Sequence, residues 1–320
     1  MRIPGPGSLP RVARAAAVLL FLPAPTACGG SGDTAGTAAV GTSPAPTGDP
    51  VAAVRTVDSI AALLPDDVRA SGTLRIGSAI GTPPGAYYPE GAGGRPAGQD
   101  IDMADAVAKV LGIRLERQDA SFETILPALA SGKYDVGTGN FGVTAERLRA
   151  VDFVTYINDG QGFAVRKGNT VLGGKVTELT RLCGLTIGTG AGTTFEATLT
   201  ARKEECAEAG KEPYDVKVYS ENGAVQTALR QGRVDVVMST INGLRHQASQ
   251  PASRTVFLGE FHRLDVGFAF KKGSPLTPAF RAAVNELIES GAYARILEKW
   301  GTTASAIDES RINPPEHEQE

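Results

Sequence analysis

Two stretches of this sequence carry residue types suited to holding an anion. Gly190-Ala-Gly-Thr-Thr194 follows a short apolar strand pattern, Leu185 to Gly188, and opens a helix pattern. A loop in that position presents unpaired N–H groups and the positive end of the helix dipole, which favour a bound negative charge. The spacing Gly188-x-Gly190-x-Gly192 lacks the third glycine of a dinucleotide fingerprint, so a nucleotide is not implied. Thr144-Ala-Glu-Arg147 supplies a guanidinium, which stays charged and can donate two parallel hydrogen bonds to a carboxylate. Its residue type alone fits a solvated helix arginine as well, like Arg149 beside it.

Other chemistry lacks its residues. The sequence has no nucleophile elbow, P-loop, His-Glu-x-x-His or Cys-x-x-Cys motif. His246, His262 and His317 are scattered without metal-ligand spacing, so neither a metal nor a cofactor is expected. Asp100 and Asp102 stand at a helix start, where acids complement the dipole; paired acid catalysis is the weaker reading. Trp300 ends an amphipathic helix as a packing anchor.

The elements that must position these residues fit comfortably in 320 residues of ordinary globular composition, 42% hydrophobic and 21% charged. A formal charge of −3 offers no basic face for a nucleic acid. Residues 1–28 read as an export signal: Arg2, Arg11 and Arg14 precede the apolar run Ala15 to Leu22, followed by small residues before Cys28. The run is too short to span a bilayer. A cysteine at that point resembles the lipobox of bacterial lipoproteins, with Pro25 where leucine is usual, so Cys28 is expected to carry a lipid. Loss of residues 1–27 removes three arginines and no acid, taking the charge from −3 to −6. Export also brings the chain into an oxidising compartment, where Cys183 and Cys206 are expected to pair. No histidine sits near either to make a metal site.

Residues 29–68 begin rich in Gly, Ala, Ser, Thr and Pro and are expected to form a flexible tether. Strand patterns at Leu74–Gly77, Ile113–Glu116 and Tyr134–Gly137 then alternate with helix patterns at 98–112 and 122–130. A second set follows: strands at 185–188, 216–219 and 234–238, with helices at 194–206 and 224–231. A strand at 266–270 and helices at 278–290 and 293–300 end the pattern. Such alternation implies an α/β fold with mostly parallel sheets, here in two lobes. Lobe 1 takes residues 69–163 plus 264–302, lobe 2 residues 164–263, and a polar tail 303–320. Ligands of open α/β sheets bind beyond the carboxyl ends of the strands, so the cleft between the lobes is the expected site.

Seven segments in order, among them GTLRIG, AGQDIDMADAVAKVLGI, LTIGTGAGTTFEA and VQTALRQGRVDVV, resemble the family 3 extracellular solute-binding proteins from about residue 70 to 301. The resemblance implies a two-lobed, type II periplasmic-binding-protein-like fold with crossover segments near 161–167 and 259–267. It also implies hinge closure over an amino acid or related small carboxylate, handed to the permease of an ABC importer. Arg147 matches the arginine that grips the ligand's α-carboxylate, and Thr193 and Thr194 match residues that bind it from the second lobe. Asn140, Phe141 and Gly142 occupy positions that touch the ligand; Phe141 either walls the pocket or fills core. A monomer, lipid-anchored outside the membrane, is expected.

Two departures bear on the ligand. Thr82-Pro-Pro-Gly85 stands where the family has Tyr-Pro-Pro-Phe, with Tyr87 and Tyr88 slightly later. Thr240 stands where an aspartate usually pairs with the α-ammonium. A buried ammonium without a counter-charge costs several kcal/mol. Either Asp159 or Glu196 substitutes, unless Asp159 merely caps a turn and Glu196 merely favours a helix start, or the ligand lacks that group. The last case would suit an enzyme resembling cyclohexadienyl dehydratases, which needs a positioned acid. A ligand-sensing module is a third reading, although no transmembrane helix or signalling domain follows the lobes.

Overall fold

A computed structural model describes residues 49–90, 94–221 and 223–316. The export signal, Cys28 and residues 29–48 of the expected tether lie outside these, as does His317.

The chain enters through two short helices, α1 (Asp58–Ala61) and α2 (Asp66–Ser71). Lobe 1 then builds β1 (Thr73–Ser78), α3 (Gln99–Val110), β2 (Arg114–Asp119), α4 (Phe122–Ala130), β3 (Val136–Gly142) and α5 (Ala145–Leu148). A long strand, β4 (Val151–Arg166), crosses to lobe 2. There follow β5 (Thr186–Gly190), α6 (Thr194–Ala201), α7 (Glu205–Glu208), β6 (Asp215–Tyr219), α8 (Ala224–Arg230), β7 (Val236–Thr240) and α9 (Ile241–Ser249). The return strand β8 (Thr255–Lys271) leads to α10 (Thr277–Glu289) and α11 (Ala292–Trp300).

The crossover segments are strands. β4 and β8 run antiparallel from Val151↔Lys271 to Arg166↔Thr255, joining both lobes into one sheet of order β2-β1-β3-β8-β4-β7-β5-β6. The outer pairs β1–β2, β1–β3, β5–β6 and β5–β7 are parallel, as the βαβ alternation requires. The ladder slips between Gln161 and Gly162 and again between Gly162 and Ala164. Such bulges bend a ribbon locally. At Gly160 the backbone has φ +159, and a Cβ there would lie 2.1 Å from the His262 carbonyl oxygen, so glycine permits the close approach. The lobe boundaries expected at 163/164 and 263/264 therefore fall inside this double ribbon.

Each lobe has its own core. In lobe 1, Ile76, Met103, Val107, Phe268, Phe280 and Ile296 are buried between the sheet and α3, α10 and α11. In lobe 2, Phe163, Ile187, Leu199, Tyr214 and Met238 pack with Cys206. The helix expected over 194–206 breaks into α6 and α7, and Cys206 on α7 is disulfide-bonded to Cys183. Trp300 donates to Asp102 Oδ2 at 2.8 Å, the anchoring role its position implies.

Two expectations are corrected. The tether does not extend to residue 68: Val51 and Leu64 are buried, Val54, Val57 and Ile60 pack on the lobe 1 core, and the Val57 N–H donates to the Val110 carbonyl. Apolar residues recurring every three or four positions from Val51 onward give that segment a face to bury. The tail 303–320 is likewise not a free polar extension over its described part. Up to Tyr156, β4 has β8 on one side and an open edge on the other, and residues 310–313 cover that edge. Arg311 and Asn313 exchange backbone hydrogen bonds with Thr155 and Phe153, Ile312 bridges Val154, and Ser310 is fully buried.

The disulfide joins two cysteines 23 positions apart in sequence. In the chain-entropy account such a loop is worth roughly 3 kcal/mol. Cys183→Ser together with Cys206→Ser should lower stability in urea unfolding by about that amount, roughly 2–4 kcal/mol.

Candidate functional site

A cleft of ≈ 1150 Å³, the open space at its mouth included, lies between the lobes, lined from lobe 1 by Gln99, Asp100, Phe122, Asn140 and Arg147 and from lobe 2 by Thr193, Thr194, Thr240 and Asn242. Arg147 sits in α5, whose N-cap is Thr144: its Oγ1 accepts from the Arg147 N–H at 3.2 Å. The guanidinium donates from Nη1 to the Gly142 carbonyl on its own lobe at 3.0 Å. From Nη2 it donates to the Gly192 carbonyl across the cleft, also at 3.0 Å. Its carbon lies 5.6 Å from the Phe122 ring centre and 5.9 Å from that of Phe141. Among the described residues two of the five guanidinium donors are engaged in this way, leaving three for a ligand. Burial lowers the Arg147 pKa to about 10, so it keeps its charge at neutral pH.

Opposite, Thr193 caps α6: its hydroxyl accepts from the Glu196 N–H and donates to the Gly190 carbonyl. Glu196 closes the box by accepting from the Gly192 N–H at 2.7 Å. Among the described residues, the N–H groups of Thr194 and Phe195 meet no acceptor outside the helix, and both residues line the cleft. Gly192 has φ +68, and a Cβ there would stand 2.9 Å from the Glu123 Cβ of lobe 1, so only glycine fits where the lobes meet.

The floor comes from α3. The loop Thr82–Gly85 folds over the helix start, and the N–H groups of Gln99 and Asp100 donate to the carbonyls of Pro84 and Gly85, each at 2.9 Å. A Cβ on Gly98 would lie 2.1 Å from the Gly85 carbonyl oxygen, which fixes glycine there. Gln99 and Asp100 are both 2% exposed. Below, Asp159 is fully buried on β4, accepting from Asn140 Nδ2 at 3.0 Å and from the Asn242 N–H at 3.2 Å. Asn140 reaches it through a left-handed backbone, φ +58, a conformation asparagine tolerates better than most residues.

Of the sequence candidates, Arg147, Thr193, Thr194, Asn140 and Thr240 come together on the cleft. Phe141, Gly142, Thr144 and Asp159 stand behind it. Phe141 is core, stacked on Phe122 with ring centres 4.6 Å apart, and Phe122 is the aromatic that walls the cleft. Glu196 is committed to its capping box, and Asp159 to two asparagines. Thr240 caps α9, its hydroxyl accepting from the Gly243 N–H. Tyr87 packs on Trp300 and Tyr88 is exposed beside Asp119, so neither replaces the missing loop aromatics. The Asp100 and Asp102 pair divides: Asp102 binds Lys299 and Trp300, whereas Asp100 faces the cleft. Sequence reasoning missed Gln99 and Asp100 as cleft residues because a helix-start acid usually serves the dipole.

Burial raises both Asp100 and Asp159 from 3.8 to about 6. The charge of Asp159 pushes Asp100 the same way, while the nearby Tyr156 hydroxyl, Asn140 N–H and Gln99 amide oppose it. For Asp159, Asn140, the Asn242 and Gly160 N–H groups and Arg263 oppose the rise. The folded protein thus holds protons that the unfolded chain releases, and this contribution to stability is lost as pH rises through about 6. For Asp159→Asn, the stability difference from wild type in urea should shift by about 1–3 kcal/mol between pH 4 and pH 7 and level off above.

Residues 74–303 match the sequence profile of the bacterial extracellular solute-binding proteins, family 3. The chain is 29% identical over 259 residues to the arginine-binding protein ArgT of Corynebacterium glutamicum, covering 80% of this chain and 83% of the relative. An ancestral arginine-binding protein solved with arginine superposes with a TM-score of 0.65 at 33% identity, over 72% of this chain and 98% of that one. An ancestral amino-acid-binding protein described as a precursor of cyclohexadienyl dehydratase superposes with a TM-score of 0.64 at 28% identity, over 73% and 98%. The two-lobed fold and a match over most of its length place this chain in family 3 of the bacterial extracellular solute-binding proteins.

Proposed function

We propose that this protein is the extracytoplasmic receptor of an ABC importer, closing its lobes on an amino acid whose α-carboxylate is received jointly by Arg147 and the start of α6. The observation that carries this reading is that Arg147 on lobe 1 and Thr193–Thr194 on lobe 2 open onto one cleft. An anion there takes charge-assisted bonds from a partly desolvated guanidinium and helix N–H groups with no other acceptor among the described residues. Because the donors come from both lobes, the ligand favours the conformation in which the lobes meet, and that differential affinity is the basis of hinge closure. The arginine-binding relatives support an amino acid as cargo. The protein works as a monomer, tethered by a lipid on Cys28 and presenting its closed form to a membrane permease. It is a receptor and not an enzyme: a bound amino acid should be recovered unchanged after prolonged incubation and re-extraction. Consumption of the ligand would instead favour the dehydratase-like reading.

Titration calorimetry of the wild type with the twenty proteinogenic amino acids should reveal at least one ligand. At a hundredfold excess over its Kd, that ligand should add about 2.7 kcal/mol of stability in a thermal shift. Arg147→Ala should weaken binding by the worth of one charge-assisted bond, about 1.5–3 kcal/mol, or roughly ten- to hundredfold. Full affinity in that variant would overturn the assignment.

A further inference from the structure

The usual aspartate is missing at Thr240, and of the acids that line the cleft, Glu123 and Glu221 among them, Asp100 is the buried one. Asp100 is 2% exposed, lines the cleft, and its Oδ1 has no hydrogen-bond partner among the described residues. Among the described residues no salt bridge reaches it: Arg147 is turned to two carbonyls, and Arg263 is bound by Glu260 and Asn158. Nor does it cap its own helix, since the α3 N–H groups beside it are taken by the carbonyls of Pro84 and Gly85. Gln99, its neighbour on the same floor, also has a buried Oε1 without a partner. The Tyr156 hydroxyl, the Asn140 N–H and the Gln99 amide also reach Asp100, yet all three are neutral, so two acceptor oxygens, one on a carboxyl group, stay open to a donor that carries positive charge.

The floor is close enough to the anion end for one small molecule to reach both. The Asn140 N–H lies near Asp100, and the Gly142 carbonyl holds Arg147. These residues are two apart on β3, a step of roughly 7 Å along a strand.

We propose that Asp100, assisted by Gln99, forms a cation subsite on the cleft floor that receives a cationic N–H group of the amino acid whose carboxylate is held at Arg147. This rests on the reading of function above and assigns the cargo to carboxylates that also carry a positive group. That group is either the α-ammonium or the far end of the side chain; both present N–H donors on a positive charge, and suitable ligands separate them. The titratable groups facing Asp100 are Asp159 and Tyr156, both on β4; Asn140 and Gln99 are its other polar neighbours.

The test is calorimetry of the full chain and its Asp100→Asn variant with L-arginine, L-citrulline and 5-guanidinopentanoic acid. Citrulline lacks the side-chain cation, and 5-guanidinopentanoic acid lacks the α-ammonium. The wild type should bind L-arginine, and Asp100→Asn should weaken this at least tenfold while leaving one analogue, the one lacking the contacted group, unaffected. With Asp100 at about 6 in the free protein, wild-type affinity for L-arginine should also fall about tenfold from pH 7 to pH 5. The insensitive analogue should show no such fall. This second measurement decides the matter if Asp100→Asn does not fold. Unchanged arginine affinity in a folded variant, or a flat pH profile for all three compounds, would overturn the subsite while leaving the receptor reading intact. A wild type that binds none of the three also overturns the subsite. If it binds none of the twenty amino acids either, the receptor reading fails as well.

Discussion

The Arg147 guanidinium holds one carbonyl on each side of the cleft, Gly142 below and Gly192 above. This planar group is pre-aimed by those two bonds and by the faces of Phe122 and Phe141, so its remaining donors need little reorganisation to meet a carboxylate. Much of the surrounding structure can be understood from the need to keep it there. Thr144 caps the single turn that carries it, and the C-terminal strap ties back to that turn when Glu316 accepts from the Ala145 N–H at 2.8 Å. On the opposite side, the Thr193–Glu196 capping box shapes the loop that offers Gly192, and glycine alone lets that loop approach Glu123.

The lobes are joined elsewhere, in the ribbon of β4 and β8. Its bulges lie beside a buried polar layer in which Asp159 ties Asn140 of lobe 1 to Asn242 of lobe 2, and Ser305 of the C-terminal segment donates to Asn242. A layer of this kind favours one alignment of the lobes through directional bonds, whereas apolar packing alone would tolerate sliding. The acids in it carry unequal obligations. Asp159 spends both oxygens on Asn140 and Asn242, and Asp100 keeps an oxygen unspent beside the cleft.

Much of this was legible in the residues. The alternation of strand and helix patterns gives the two α/β lobes, and the apolar spacing of residues 122–130 predicts α4 at its observed bounds. The Gly-rich turn before Thr194 has the residue types of an anion-holding helix start, and it lines the cleft. What escaped was non-local. The length of β4 could not be read because residues 151–166 are buried on both faces and show no alternation. The role of residues 310–313 depends on an open strand edge that exists only after folding. The Gly, Ala, Ser, Thr and Pro content of residues 29–56 points to a tether and hides the apolar spacing that begins at Val51. Asp100 and Asp102 have the same local signature, and only tertiary packing sends one to Lys299 and the other to the cleft. Asp159 is expected from the sequence to meet the ligand's ammonium or to cap a turn, whereas its two oxygens accept from Asn140 and Asn242 behind the cleft.

The central claim is that one carboxylate is shared between Arg147 and the first turn of α6. The most direct measurement is a crystal structure of the full chain with the amino acid that stabilises it most. The account predicts the ligand carboxylate within hydrogen-bonding distance of both the Arg147 guanidinium and the Thr194 N–H. A carboxylate held by one lobe alone, or seated away from Arg147, would contradict it.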